Sequence, residues 1–124
     1  MNAKVGIVIV SYNASLAVRV TLASLRQAKN ATAFTVILVD NASEDLERES
    51  IRRAFDLHVL EEGLPWRYVQ QVKNLGFSGG NNVGIRSFLE DEEISHICLL
   101  NSDVVVTDYW LDRLINKQCH IVSP

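Results

Sequence analysis

Two short aliphatic runs, "VGIVIVSY" at 5–12 and "FTVILVD" at 34–40, constrain this chain more than any other feature. Neither alternates polar with apolar residues. Each therefore predicts a strand covered on both faces, and such a sheet needs helices above and below it. Between the two runs, "SLAVRVTLASLRQA" has helical spacing, with Leu16, Val20, Ala23 and Leu25 expected near one face and Asn13 or Ser15 as its cap. "SEDLERESIRRAF" predicts a polar amphipathic helix that opens with Ser43 and two acidic residues, which suit the positive end of its dipole. "DLHVLEEGLP" reads as irregular or part strand, and "WRYVQQV" as a third, more exposed strand. A helix through "NNVGIRSFLEDEE", a strand "HICLLN", a short helix "DYWLDRLIN" and a last strand "HIVSP" follow. This order implies an α/β fold: an open, mostly parallel sheet sandwiched by helices, with right-handed crossovers. A length of 124 residues fits a single domain with a sizeable core.

Charge and composition exclude several classes. The net charge is −3 with no basic cluster, so a nucleic-acid partner is not expected. The apolar runs are far too short to span a bilayer, and the start "MNAKVGIVIV" flows straight into the first strand without a separate signal segment. Cys98 and Cys119 have neither metal nor redox spacing. A reduced, cytoplasmic protein is the expectation, with the inner face of a membrane as a further location.

The stretch "KNLGFSGGNNVGI", residues 73–85, holds four of the six glycines and three asparagines. It reads as a structural turn or as a backbone left bare so that a ligand can approach; helical spacing of Val83, Ile85, Phe88 and Leu89 argues against a linker. Ligands of open α/β sheets bind at the carboxyl ends of the strands. Those ends carry Ser11-Tyr12-Asn13, Asp40-Asn41, Asn74 with the glycine run, and Asn101-Ser102-Asp103. A dinucleotide fold would place its glycines after strand one, where "SYNAS" stands; no Gly-Lys-Ser/Thr of a P-loop occurs, and strand one lacks the acidic end of a receiver domain.

Asp103 is either a turn residue or a ligand for Mg²⁺ or Mn²⁺, which take few carboxylates and fill their shell with water and phosphate oxygens. Beside a diphosphate, a carboxylate about 4 Å from each phosphate charge is repelled by roughly 4 kcal/mol at an effective dielectric near 20, so the second role requires the cation. Asp40 is either the cap of "DNAS" or an acceptor for a base imide N–H. Uracil and thymine offer that donor and cytosine does not, so a charged hydrogen bond of roughly 1.5–3 kcal/mol would favour them; guanine offers it too and is set apart only by size. Tyr12 is a stacking or structural tyrosine. Asn13, Asn41, Asn74, Asn81 and Asn82 are turn, cap or ligand residues. Trp66 and Trp110 read as core or interface residues, and the histidines as without a role.

Taken together, "VGIVIVSYN", "VILVDNASED", "NLGFSGGNNVGI" and "LLNSDVVV" resemble the family 2 glycosyltransferases, which have the GT-A fold with a Rossmann-like nucleotide-binding half. The likeness is closest to the bacterial branch that includes rhamnosyltransferases, enzymes of cell-surface polysaccharide synthesis. It implies that Ser11, Tyr12 and Asn13 touch the nucleoside and that Asp40, with Asn41, reads the base. Asn74, Gly76, Phe77, Gly79, Gly80 and Asn82 would form a loop near diphosphate and sugar. Asn101-Ser102-Asp103 stands in place of the family's Asp-X-Asp motif, with Asp103 on the metal and Asn101 near the donor. The resemblance further implies inverting transfer from a UDP- or dTDP-sugar to a saccharide or lipid-linked acceptor. It suggests that this chain is the donor-binding part, stopping before the catalytic base. A non-catalytic nucleotide-sugar-binding or interaction module and a nucleotidyltransferase are the rival readings. Self-association through apolar surface near Trp110 and Ile121 is also expected.

Overall fold

The computed structural model describes residues 3–116. Four strands, β1 (Lys4–Ser11), β2 (Ala33–Asp40), β3 (Arg67–Gln70) and β4 (His96–Leu100), form one sheet in the order β3-β2-β1-β4, every pair parallel. The connecting segments hold α1 (Ser15–Gln27), α2 (Asp45–Glu62) and α3 (Gly76–Leu89), and α4 (Trp110–Ile115) follows β4. The sequence therefore predicts the α/β sandwich correctly. The last expected strand, "HIVSP", together with Cys119 and Ile121, lies outside the described residues.

Strands β1 and β2 divide their side chains between two apolar layers, as the absence of alternation requires. Val5, Ile7, Ile9, Val36 and Leu38 face one side, where Val18, Leu22 and Leu25 of α1 and Ile51 and Phe55 of α2 cover them. Trp66, Trp110, Leu111 and Leu114 complete that layer. Val8, Val10, Ile37 and Val39 face the other side and meet Phe88 of α3.

The glycine run is the main departure from expectation. It is not a loop: α3 begins at Gly76, so Gly79, Gly80 and Gly84 are helical. An ideal Cβ at Gly84 would stand 2.6 Å from a methyl of Val8, and one at Gly80 2.8 Å from a methyl of Val10. Glycine carries a helix penalty of about 1 kcal/mol, and here closer packing of helix on sheet offsets it. On the same face, Phe88 lies flat over Gly6. Only Gly76, at φ 75°, serves the backbone: its left-handed conformation opens the helix.

Three smaller expectations also change. Helix α2 does not stop near Phe55; it continues through "DLHVLEE" to Glu62, and Gly63 in the left-handed conformation ends it, with Leu64 N–H donating to the Val59 carbonyl at 3.2 Å. In α1, Leu16 and Val20 point to solvent, whereas Val18, Thr21, Leu22, Ser24 and Leu25 are buried. Neither Asn13 nor Ser15 caps α1, and Ser43 does not cap α2; no side-chain cap of the usual kind is formed at either helix. Instead the two N-termini exchange partners: Ser15 N–H of α1 donates to Glu47 Oε2 of α2 at 2.9 Å, and Glu44 N–H, opening α2, donates to Asn13 Oδ1 at 2.8 Å.

Asp112 holds α4 against the segment that enters β2. It accepts hydrogen bonds from Ala31 N–H (2.9 Å), Thr32 N–H (2.8 Å) and the Thr32 hydroxyl. The Thr32 hydroxyl, followed by the two backbone donors, lowers its pKa below the ordinary 3.8.

Two outcomes follow. Gly84→Ala should lower stability by about 1–3 kcal/mol through overpacking, read as a lower urea midpoint. A carboxyl whose pKa falls on folding stabilises fully above its unfolded value and loses that contribution as pH drops through the folded value. The stability gap between the wild type and Asp112→Asn should therefore be constant near neutral pH and close below about pH 4. A gap that widens in acid would contradict this assignment.

Candidate functional site

All strands run the same way, so their carboxyl ends share one rim. Ser11 of β1, Asp40 of β2 and Gln70 of β3 are level in register there. The chain moves outward from β1 to β2 to β3, then returns to the other side of β1 for β4. Open α/β sheets bind ligands beside such a reversal. Strand β4 leaves the sheet at Leu100, opposite Ile9, so Asn101-Ser102-Asp103 emerges alongside the tip of β1.

Asp40 is wholly buried and its carboxylate is fully used. Oδ1 accepts from the Ser11 hydroxyl at 3.0 Å and the Ser43 hydroxyl at 2.5 Å; Oδ2 accepts from Ser43 N–H at 3.0 Å and Gln70 Nε2 at 2.8 Å. Four donors in place of a cation make an anion tolerable in this position. Ala42 takes a left-handed φ of 62° so that the chain can fold back and bring Ser43 onto Asp40. From the sequence Ser43 is expected only at the start of α2, and Gln70 only as part of the third strand. The ST/Asx-like turn signal in "DNAS" points toward Ser43, but nothing local marks Gln70. The Gln70 oxygen in turn accepts from Tyr68 OH at 2.6 Å. The Tyr68 pKa is raised, first by burial and then by the Asp40 charge.

Next to Asp40, Asn41 ties the rim to α3. Its Nδ2 donates to the Gly76 carbonyl at 2.8 Å and its own backbone N–H to the Ser11 carbonyl at 2.8 Å. Asn74 accepts from Gly76 N–H at 2.8 Å, closing the turn into α3. The α3 N-terminus, the positive end of its dipole, thereby lies at the rim. Gly79 and Gly80 do not offer bare backbone to a ligand; a Cβ on Gly79 would meet Leu75 at 2.7 Å and Gly80 is buried on Val10. Asn82 is exposed on the helix, and Phe77 is exposed in its first turn. Asn13, at φ 49°, donates its N–H to Ser43 Oγ at 2.9 Å, and Tyr12 beside it is half exposed.

Asp103 differs from Asp40 in every respect. Its side chain is exposed and bonds to nothing among the described residues, as do the exposed Asn101 and its amide. Among the described residues no group of three or more His, Cys, Asp or Glu could hold a metal alone. The donor set is one free carboxylate with amide and hydroxyl oxygens nearby. That suits Mg²⁺ or Mn²⁺ only if phosphate oxygens and water complete the shell. A groove of about 610 Å³ runs from Asn101 between Leu99, Val105 and Trp110. Another of about 850 Å³, between α2 and the outer edge of β3, reaches the rim at Gln70. No helix among the described residues is long and apolar enough to cross a membrane.

Several solved structures share this fold. A mannosyltransferase from Pyrobaculum calidifontis, PcManGT, in complex with GDP-Man and Mn²⁺, is 20% identical with a TM-score of 0.58, over 70% of this chain and 25% of that one. S. aureus TarS is 22% identical with a TM-score of 0.65, over 89% of this chain and 18% of that one. A shorter form of TarS, residues 1–349, in complex with UDP, gives 21% and 0.62 over 89% of this chain and 30% of that one. At these identities the likeness shows the fold, and this chain spans less than a third of each. No curated protein sequence matches. The sequence model of glycosyl transferase family 2, however, covers residues 6–121, from within β1 to past α4. That span includes every rim residue described above, and the chain belongs to glycosyl transferase family 2.

Proposed function

We propose that this chain binds the nucleoside diphosphate sugar of an inverting glycosyltransferase, with a uridine or deoxythymidine donor and a divalent cation at Asp103. The observation that carries this reading is the meeting at one rim, beside the strand reversal, of the Ser11–Asn13 tip, the Asp40–Asn41 turn, the α3 N-terminus and Asp103. The UDP and GDP-Man complexes of fold neighbours support nucleotide sugars as the ligand class.

In this reading Tyr12 and Asn13 flank the nucleoside. The Gln70 amide N–H occupies Asp40 Oδ2, and an imide N–H is the same kind of donor. A uracil or thymine takes that place as Gln70 swings toward solvent. The α3 N-terminus, with Gly76 open on its outer side, faces the diphosphate. Asp103, with Asn101 beside it, would hold the cation together with water and the diphosphate. A divalent cation bound there supplies Lewis-acid stabilisation of charge on the departing diphosphate. An acceptor hydroxyl of a saccharide or lipid-linked glycan would attack the anomeric carbon from the face opposite the diphosphate, its proton passing to a carboxylate base as the bond from that carbon to the diphosphate oxygen breaks, so that the configuration inverts. The rhamnosyltransferase-like donor choice belongs to the same proposal.

Calorimetric titration with UDP, dTDP, CDP and GDP, each with and without Mn²⁺, tests it. UDP or dTDP should bind roughly 10- to 100-fold more tightly than CDP, the worth of one charged hydrogen bond. Equal binding of all four would remove Asp40 as the base reader. Asp103→Ala should keep the fold, read by circular dichroism, and abolish the Mn²⁺-dependent gain in affinity. Retention of that gain would place the cation elsewhere.

A further inference from the structure

A buried pair of hydroxyls on α1 sits directly behind Asp103. Thr21 is wholly buried, and Ser24 nearly so, on a helix face that would ordinarily be apolar. Threonine inside a helix usually bonds back to its own preceding turn. Thr21 does not. Its Oγ1 proton faces the carbonyl oxygens of Ser102 at 2.9 Å and Val104 at 2.7 Å, and the same oxygen accepts Val104 N–H at 3.2 Å. One hydroxyl thus grips both residues that flank Asp103. Ser24 donates to the Thr21 carbonyl at 2.8 Å, which leaves its oxygen free to accept Val106 N–H at 3.1 Å. The loop after β4 is thereby fastened to α1 on the inner side while the Asp103 carboxylate stays outside.

We infer that Thr21, assisted by Ser24, is a positioning residue that holds Asp103 in place for a divalent cation. The inference rests on the proposed role of Asp103. An exposed carboxylate on a free loop loses conformational freedom when it joins a metal shell, and that loss weakens binding. Fixing the backbone on both sides of Asp103 removes most of the cost beforehand. Groups that orient a metal ligand without touching the metal matter for affinity in general, and this hydroxyl does so through the main chain. Neither hydroxyl is needed for burial, because valine and alanine would fill the same volumes.

The test is the Mn²⁺ dependence of UDP binding, measured by calorimetry on wild type, Thr21→Val, Thr21→Ser and Asp103→Ala; dTDP or GDP replaces UDP if it binds the wild type more tightly. Thr21→Val should weaken the Mn²⁺-dependent gain by about tenfold or more while metal-free affinity stays within about twofold. Thr21→Ser, which keeps the hydroxyl, should restore the gain. If Thr21→Val does not fold, Ser24→Ala, which frees only Val106, must show a smaller loss of the same gain. Wild-type Mn²⁺ dependence in Thr21→Val, or in Ser24→Ala where it is the variant used, overturns the inference and leaves Asp103 as ligand. An equal fall of affinity with and without Mn²⁺ overturns it too, by reducing Thr21 to a general support of the rim. An Mn²⁺ gain that survives Asp103→Ala overturns the reading of Asp103 itself, and the inference with it.

Discussion

Helix α3 touches the sheet where Cβ atoms would ordinarily hold the two apart, and the rim depends on that close approach. With an alanine at Gly80 or Gly84, methyl groups of Val10 and Val8 would lie inside contact distance, and the helix would have to ride higher. The Asn41 amide spans from the tip of β2 to the Gly76 carbonyl at 2.8 Å, a reach that a raised helix would not allow. Packing in the middle of the helix therefore fixes the position of its first turn. The glycines serve the site from beneath, by setting the height of the α3 N-terminus over the strand ends.

That arrangement explains why the strands were legible in the sequence and the glycine run was not. A strand covered on both faces leaves a local signature, an unbroken run of β-branched residues, and "VGIVIVSY" and "FTVILVD" carry it. Glycine in a helix has the opposite local signature. Its reward comes from Val8 and Val10, some seventy residues earlier in the chain, and tertiary contact overrides propensity. The same reason hid the buried face of α1. Thr21 and Ser24 look like surface residues until the loop after β4, about eighty residues on, supplies their partners. Gly63 followed by Pro65 is a helix stop, but "DLHVLEE" before it reads as irregular or part strand, so the last turns of α2 were missed. At the rim, the motif residues could be placed at strand ends by pattern alone. That Asp40 is already saturated by Ser11, Ser43 and Gln70 could not, because its donors come from three separate elements.

The two acidic residues of the rim divide the electrostatics between them. Asp40 is enclosed and satisfied by neutral donors, so its charge stiffens the tips of three strands without calling for a cation. Asp103 is held by its neighbours' backbone while its own oxygens remain uncommitted. A buried anion that organises and an exposed anion that is free to coordinate are different uses of one side chain. Their separation across β1 keeps the two negative charges from adding their fields at one point of the rim.

The exchange of partners between the N-termini of α1 and α2 has a dynamic consequence. A helix with its own cap can unwind its first turn alone. Here Glu47 holds Ser15 and Asn13 holds Glu44, so loosening either helix exposes unpaired amides on the other. Local opening at this end is a joint event, and the amide protons of both first turns should exchange with solvent as one unit. A restraint on the Asn13 side chain therefore bears on the first turn of α2 as well as on the tip of β1.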